Sequence, residues 1–309
     1  MEKKRKGRKH RAKISDSSKK ILITVIIWIS AALVAVLLAL TVGNALGDAA
    51  DSLKTEDAAP PIYEYIGEPA PPVNAFFLNI EGKNNDSVRK TLANLPVGAD
   101  VSIVLRDADG SLNYRSSVAF GVTGDAGGAC DLTGVVRDLK ANGGRVSACF
   151  YSSLESAPTV GAKYAVIDYE AALIAEAFGA GVEDIVIINL PSDSEGAAYA
   201  SRLFYEVRER CDNACLGAAI SYRDVSSEKV GAFELYHEFA DFLALNTVDA
   251  PVGTTAAGIA SEMLYYFERY PLRVLMHTAE GNGREAQRIA LATLGIYNVQ
   301  SIGSQQLAG

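Results

Sequence analysis

The side chains best able to do chemistry stand just behind short apolar runs. Asp107 and Asp109 lie in the turn Arg106-Asp107-Ala108-Asp109-Gly110 after VSIVLR, and Glu280 follows the run that contains His277. A carboxylate in such a place can accept or give a proton or attack an electrophilic carbon, so Asp107, Asp109 and Glu280 are the candidate catalytic residues. Glu81, Asp193, Asp224 and Asp249 occupy comparable positions after other runs. Tyr151 and Tyr222 offer ring faces, Asn189 and Asn246 offer amides and His277 an imidazole; with Glu81 these are the candidate substrate-binding groups. Each has a plainer structural role. Asp-x-Asp-Gly is a common turn signal, because Asp bonds nearby backbone N–H groups and Gly supplies positive φ. Glu280 suits a helix N-terminus, His277 a satisfied rim position, and the tyrosines an aromatic core.

No Gly-x-Ser-x-Gly elbow, Walker loop, dinucleotide fingerprint or His-Glu-x-x-His stretch occurs, and no cofactor is expected. The Asp107 turn lacks the distal Glu of a calcium loop. His10, His237 and His277 with Cys130, Cys149, Cys211 and Cys215 do not have zinc-site spacing, so no metal is expected. Four unevenly spaced cysteines do not make a disulfide scaffold; Cys211 and Cys215 are close enough in sequence to bridge or to remain buried thiols.

The elements that must position these groups follow from periodicity and punctuation. Eight short runs read as strands: Ala75 to Ile80, Val101 to Arg106, Arg145 to Tyr151, Asp184 to Leu190, Leu216 to Tyr222, Phe242 to Val248, Arg273 to Thr278 and Val299 to Ile302. Helical patterns lie between them, at about Asp86 to Leu95, Asp131 to Ala141, Glu170 to Ala177, Gly196 to Cys211, Glu228 to Phe239, Thr255 to Tyr270 and Arg284 to Leu294. Buried-type strands alternating with helices imply parallel pairing through crossovers, and eight units make a (β/α)8 TIM barrel. With the sequence ending soon after the eighth strand, a regular last helix is not expected. An open doubly wound sheet is the alternative.

The N-terminus has a different character. Residues 1–20 carry ten of the 29 Lys/Arg and two of the 37 Asp/Glu, which leaves 19 against 35 beyond Lys20, a formal charge of −16. From Ile21 to Val42 runs the uncharged stretch ILITVIIWISAALVAVLLALTV, long enough to cross a hydrocarbon core of about 30 Å. Basic residues flanking such a helix stay inside, so the expectation is a single-pass signal anchor in the cell membrane, with an N-terminal cytoplasmic tail and an extracytoplasmic domain. A cleaved signal peptide is the rival reading, though its apolar core is ordinarily shorter. Residues 43–72, with Pro60, Pro61, Pro69, Pro71 and Pro72, read as a stalk, and 73–309 as one domain. The acidic domain disfavours nucleic acid as a partner. The only tryptophan, Trp28, lies in the apolar stretch, so the domain has no Trp with which to stack a sugar.

Four stretches, VSIVLRDADGSLNYRS, DLTGVVRDLKANGGRVSACFYSS, VIDYEAALIAEAFGAG and VEDIVIINLP, resemble a glycoside-hydrolase family of bacterial envelope proteins, whose members look like alpha-amylase-type barrels. The resemblance covers Ala75 to about Pro191 and continues beyond only in strand and helix phasing. It implies an envelope glycosidase using Asp107 and a second rim carboxylate such as Glu280. One departure counts against turnover. The family's fourth strand ends in Phe-Asp-Tyr, whereas this chain reads Ile187-Ile188-Asn189, with Ile188 in place of the acid. Glycoside hydrolysis ordinarily needs two carboxyl groups about 5 to 9.5 Å apart. The resemblance therefore points first to a catalytically degenerate module that binds cell-wall glycan or an envelope protein, and second to an active glycosidase.

Overall fold

The computed structural model describes residues 59–63, 72–118, 129–222, 231–248, 255–262, 270, 272–277 and 283–302. The basic tail, the apolar stretch 21–42 and most of the stalk lie outside these residues. No helix among the described residues is long and apolar enough to cross a membrane.

Eight strands form a closed, wholly parallel barrel in chain order: β1 (Asn74–Phe77), β2 (Val101–Arg106), β3 (Val146–Tyr151), β4 (Asp184–Ile188), β5 (Leu216–Ser221), β6 (Phe242–Asn246), β7 (Leu272–His277) and β8 (Val299–Ile302). The ring closes by pairing of Asn74 with Val299 and Ala75 with Gln300. This settles the fold in favour of the barrel and against an open sheet. Among the described residues the helices between strands are α1 (Asn85–Leu92), α2 (Leu132–Ala141), α3 (Val160–Gly179), α4 (Ser194–Arg210), α5 (Gly231–His237), α6 (Ala256–Glu262) and α7 (Gly283–Thr293). Residues 303–309, on which the expectation about a last helix falls, lie outside the described residues.

Local chemistry explains the boundaries. Asn84 caps α1 by accepting from the Ser87 N–H at 3.0 Å, Thr159 caps α3 through Ala162 at 3.2 Å, and Asp193 caps α4 through Gly196 at 2.7 Å. The third helix is longer than Glu170 to Ala177, the span its sequence suggests. It begins ten residues earlier, and it buries the charged Glu170 beside Tyr169 and Leu173, so its charge does not mark a solvent face. Strand β1 ends at Phe77 rather than Ile80, although the Leu78 N–H still donates to Ser102 at 2.8 Å.

Alternation along the strands builds two cores. Ile103, Leu105, Ala148, Phe150, Ile185, Ile187, Leu243 and Leu245 face the helices in one cluster. Val104, Cys149, Val186, Ile188, Ala219, Phe242, Ala244, Leu275 and Ile302 fill the barrel in another. Below them, near the N-terminal ends of the strands, lies a buried polar floor. Arg273 donates from one nitrogen to Asp184 at 2.5 Å and Gln300 at 2.8 Å, and Gln300 donates onward to Ser102 at 3.0 Å and Cys149 at 3.2 Å. Ser147 donates to Asp184 at 3.0 Å. The Arg273 guanidinium lies 4.0 Å from the centre of the Phe242 ring. That ring occupies the space above Gly217, where an added Cβ would sit 2.4 Å from two of its carbons.

Residues 59–63 belong to the same compact unit as the barrel. The Tyr63 N–H donates to Ser201 at 2.7 Å, its ring stacks on Tyr205 at 4.4 Å, and Arg202 donates to its hydroxyl at 2.7 Å. The proline-rich segment ahead of β1 thus fastens to α4 at this point.

Candidate functional site

Barrel chemistry forms at the C-terminal ends of the strands. Here β2, β3 and β4 end together in a rim whose loops are tied by hydrogen bonds. The β2–β3 register shifts between Val104 and Arg106, which brings Arg106 opposite Phe150 and sends its guanidinium to Glu170 on α3 at 2.9 Å. The pair is almost wholly buried. Arg106 also donates to the carbonyls of Gly110 at 3.2 Å and Tyr151 at 2.9 Å. Glu170 accepts from the Ser152 hydroxyl at 2.6 Å and the Ser153 N–H at 2.7 Å. Burial pushes the Glu170 carboxyl above the usual carboxylate range, opposed by these hydrogen bonds and by the Arg106 charge.

The carboxylates of the second loop are engaged in their own turn. Asp107 accepts from the Asn113 amide at 2.9 Å, its N–H donates to Ser111 at 2.9 Å, and its carbonyl accepts from Gly110 at 3.0 Å, where φ is +91°. Asp109 is exposed and accepts from both the hydroxyl and the N–H of Ser111, at 2.6 and 2.9 Å. The Ser111 hydroxyl bond leads the effects that hold its carboxyl below the ordinary range. Glu81 is exposed in the turn after β1, its N–H donating to Asn79 at 2.8 Å. Asp193 is spent as the α4 cap. Glu280, Asp224 and Asp249 lie outside the described residues, as does the side chain of His277, whose backbone pairs with Ile302.

Of the neutral candidates, the structure brings Tyr151 and Asn189 together and sets Tyr222 apart. Tyr151 closes β3 opposite Ile188, half-buried against the cluster inside the barrel. Asn189 follows Ile188, is exposed, and adopts φ +65°, the only positive φ of a non-glycine residue among those described. Its amide donates to the Ser152 carbonyl at 3.1 Å, which ties it to the loop beside Tyr151. Asn246, at the end of β6, is buried and accepts from the Val248 N–H at 3.1 Å. Tyr222 packs instead against the cluster under the helices.

Inward positions at the strand ends read Phe77, Tyr151, Ile188, Ser221, Asn246 and Ile302 on β1, β3, β4, β5, β6 and β8. None is acidic. Buried charge among the described residues is concentrated in two places that the sequence motifs do not mark, the Arg106–Glu170 pair and the Asp184–Arg273 floor. A signal for the second exists in the sequence, since Asp184 opens and Arg273 interrupts an otherwise largely apolar strand. Among the described residues no group of three His, Cys, Asp or Glu side chains could hold a metal. The Cys149 and Cys215 thiols are pushed up to about 12 by burial. Cys211 and Cys215 are free and pack against different clusters, Cys211 under the helices and Cys215 inside the barrel.

No family model and no curated protein sequence matches the chain. Solved structures with a similar course include the GH53 catalytic domain of Ignisphaera aggregans, at 11% identity over 78% of this chain and 88% of that one, with a TM-score of 0.45. The alpha subunit of tryptophan synthase from Legionella pneumophila matches at 11% identity over 75% and 80%, TM-score 0.43. A family 18 chitinase from Crocus vernus matches at 10% identity over 67% and 83%, TM-score 0.42.

Proposed function

We propose that this chain is a membrane-anchored, glycoside-hydrolase-like barrel of the bacterial envelope, and that its mouth binds cell-wall glycan without cleaving it. The observation that carries this reading is that, among the described residues, the inward strand ends of β1, β3, β4, β5, β6 and β8 hold no carboxylate, and Ile188, 3% exposed, occupies the position where the family resemblance calls for one. Asp107 and Asp109 are engaged in fixing the second loop. Tyr151 and Asn189 supply what binding needs, a ring face for the apolar side of a sugar and an amide for its hydroxyls. Anchoring through Ile21 to Val42 would hold the acidic domain outside the membrane, where such a glycan lies.

The test is co-sedimentation of the detergent-solubilised protein with purified bacterial sacculi. Retention of the wild type and loss of retention in Tyr151→Ala and Asn189→Ala support glycan binding. Equal recovery in the supernatant with and without sacculi removes it, and the envelope-protein reading then takes its place, to be examined by crosslinking in intact cells. Introducing Ile188→Asp should not create hydrolysis, because Asn189 and Leu190 also differ from the family pattern and the groups that would orient an acid there are not part of that pattern in this sequence.

A further inference from the structure

We infer that Arg106 and Glu170 are the positioning pair of the binding rim, holding Tyr151 and Asn189 in place from behind without touching the ligand. The inference rests on the proposal that this rim is the binding site. The pair is buried to 2% and 1% side-chain exposure, yet its hydrogen bonds run into the rim. Arg106 reaches Gly110 in the second loop and the Tyr151 carbonyl at the end of β3. Glu170 takes the Ser152 hydroxyl and the Ser153 N–H in the third loop. The Ser152 hydroxyl in turn accepts from the Leu154 N–H at 3.1 Å, and the Ser152 carbonyl accepts the Asn189 amide. One ion pair thereby joins the ends of three consecutive strands.

Packing alone does not require this arrangement. A buried ion pair is a weak source of stability, because desolvation opposes the attraction, whereas its fixed geometry restrains whatever it bonds. What it restrains here includes Asn189 in a left-handed backbone conformation, which persists only when the surroundings over-determine it. Holding a ring and an amide in a fixed relation before the ligand arrives lowers the ordering cost of binding.

Hydrogen exchange of the full chain in detergent, read together with sacculus retention, tests the pair. In Glu170→Gln exchange in segments 107–113, 151–154 and 188–190 should rise about tenfold or more, and in the milder Ser152→Ala, which leaves the ion pair intact, exchange in segments 151–154 and 188–190 should rise, while β5 and β6 stay protected in both. Retention on sacculi should fall in the same variants. Asn189→Gly, which accepts positive φ without strain, should reduce retention while leaving exchange at 107–113 unchanged. If exchange in the rim is unchanged in both Glu170→Gln and Ser152→Ala, or rises in step with β5 and β6, the pair is a component of the general core and the inference is overturned. If the rim loosens as expected but the wild type itself is not retained, the glycan reading fails and the positioning geometry stands.

Discussion

The two ends of the barrel use polar groups in opposite ways. At the floor, charge points inward: Asp184, Arg273 and Gln300 meet inside the barrel, all fully buried, and Ser102 and Ser147 complete the set. At the mouth, the inward positions on β1, β3, β4, β5, β6 and β8 are neutral, and the charged pair of that end, Arg106 and Glu170, is turned toward α3. The four buried charged side chains among the described residues are thus paired with one another, two at the end where barrels do no chemistry and two on the outer side of the rim. In a barrel, the location of a charge relative to the strand ends says more about its role than its presence does.

The largest effect should come from breaking the floor. Asp184→Ala leaves Arg273 buried, its Nε and Nη2 already without a partner among the described residues, and should cost about 3 to 5 kcal/mol in denaturant unfolding. Replacing both partners, as Asp184→Leu with Arg273→Met, should recover most of that loss; no recovery would mean that the floor acts through more than the pair. Next in size, Gly217→Ala forces the Phe242 ring away from its place beside Arg273 and should cost about 1 to 3 kcal/mol, measured the same way.

A smaller effect is expected at the N-terminal fastening. Tyr63→Ala removes the stack on Tyr205 and the bond from Arg202, and should lower stability by about 0.5 to 1.5 kcal/mol. An unchanged melting temperature would show that residues 59–63 rest on α4 without supporting it. The smallest belongs to Asp109. Its folded carboxyl titrates below its unfolded value, so its contribution is present above about pH 4 and is lost as pH falls through the lower folded value. Asp109→Asn should flatten the acid limb of the stability curve slightly and change stability at pH 7 by no more than about 0.5 kcal/mol, because the group is exposed.

Much of the barrel was legible in the sequence. All eight strands fall where apolar runs between turn signals place them, and β2 and β8 match to the residue; for β2 the reason is that strands covered on both faces are written as largely Val/Ile/Leu runs. The long α3 was half-hidden, since Glu170 and Tyr169 are buried and blur the polar face, although Thr159 marks its start. The site was less legible. The approach of Asn189 to the loop that follows Tyr151 depends on β3–β4 register, and the outward turn of Arg106 depends on a shift between Val104 and Arg106; both arise from contacts between strands that local spacing does not encode. The Asp-x-Asp-Gly turn shows the converse. Its bonds to Ser111 and Asn113 are local, and the turn reading of those residues was available from the sequence alone.

Release of reducing sugar is the most direct measure of whether the mouth is catalytic. The purified full chain, incubated with sacculi and with soluble α-linked and β-linked glucans, should release none above a blank while still being retained on sacculi. Turnover by the wild type that is abolished in Asp107→Asn, with the fold intact by circular dichroism, would contradict a neutral, non-hydrolytic mouth and place Asp107 in a working pair with a carboxylate from another loop.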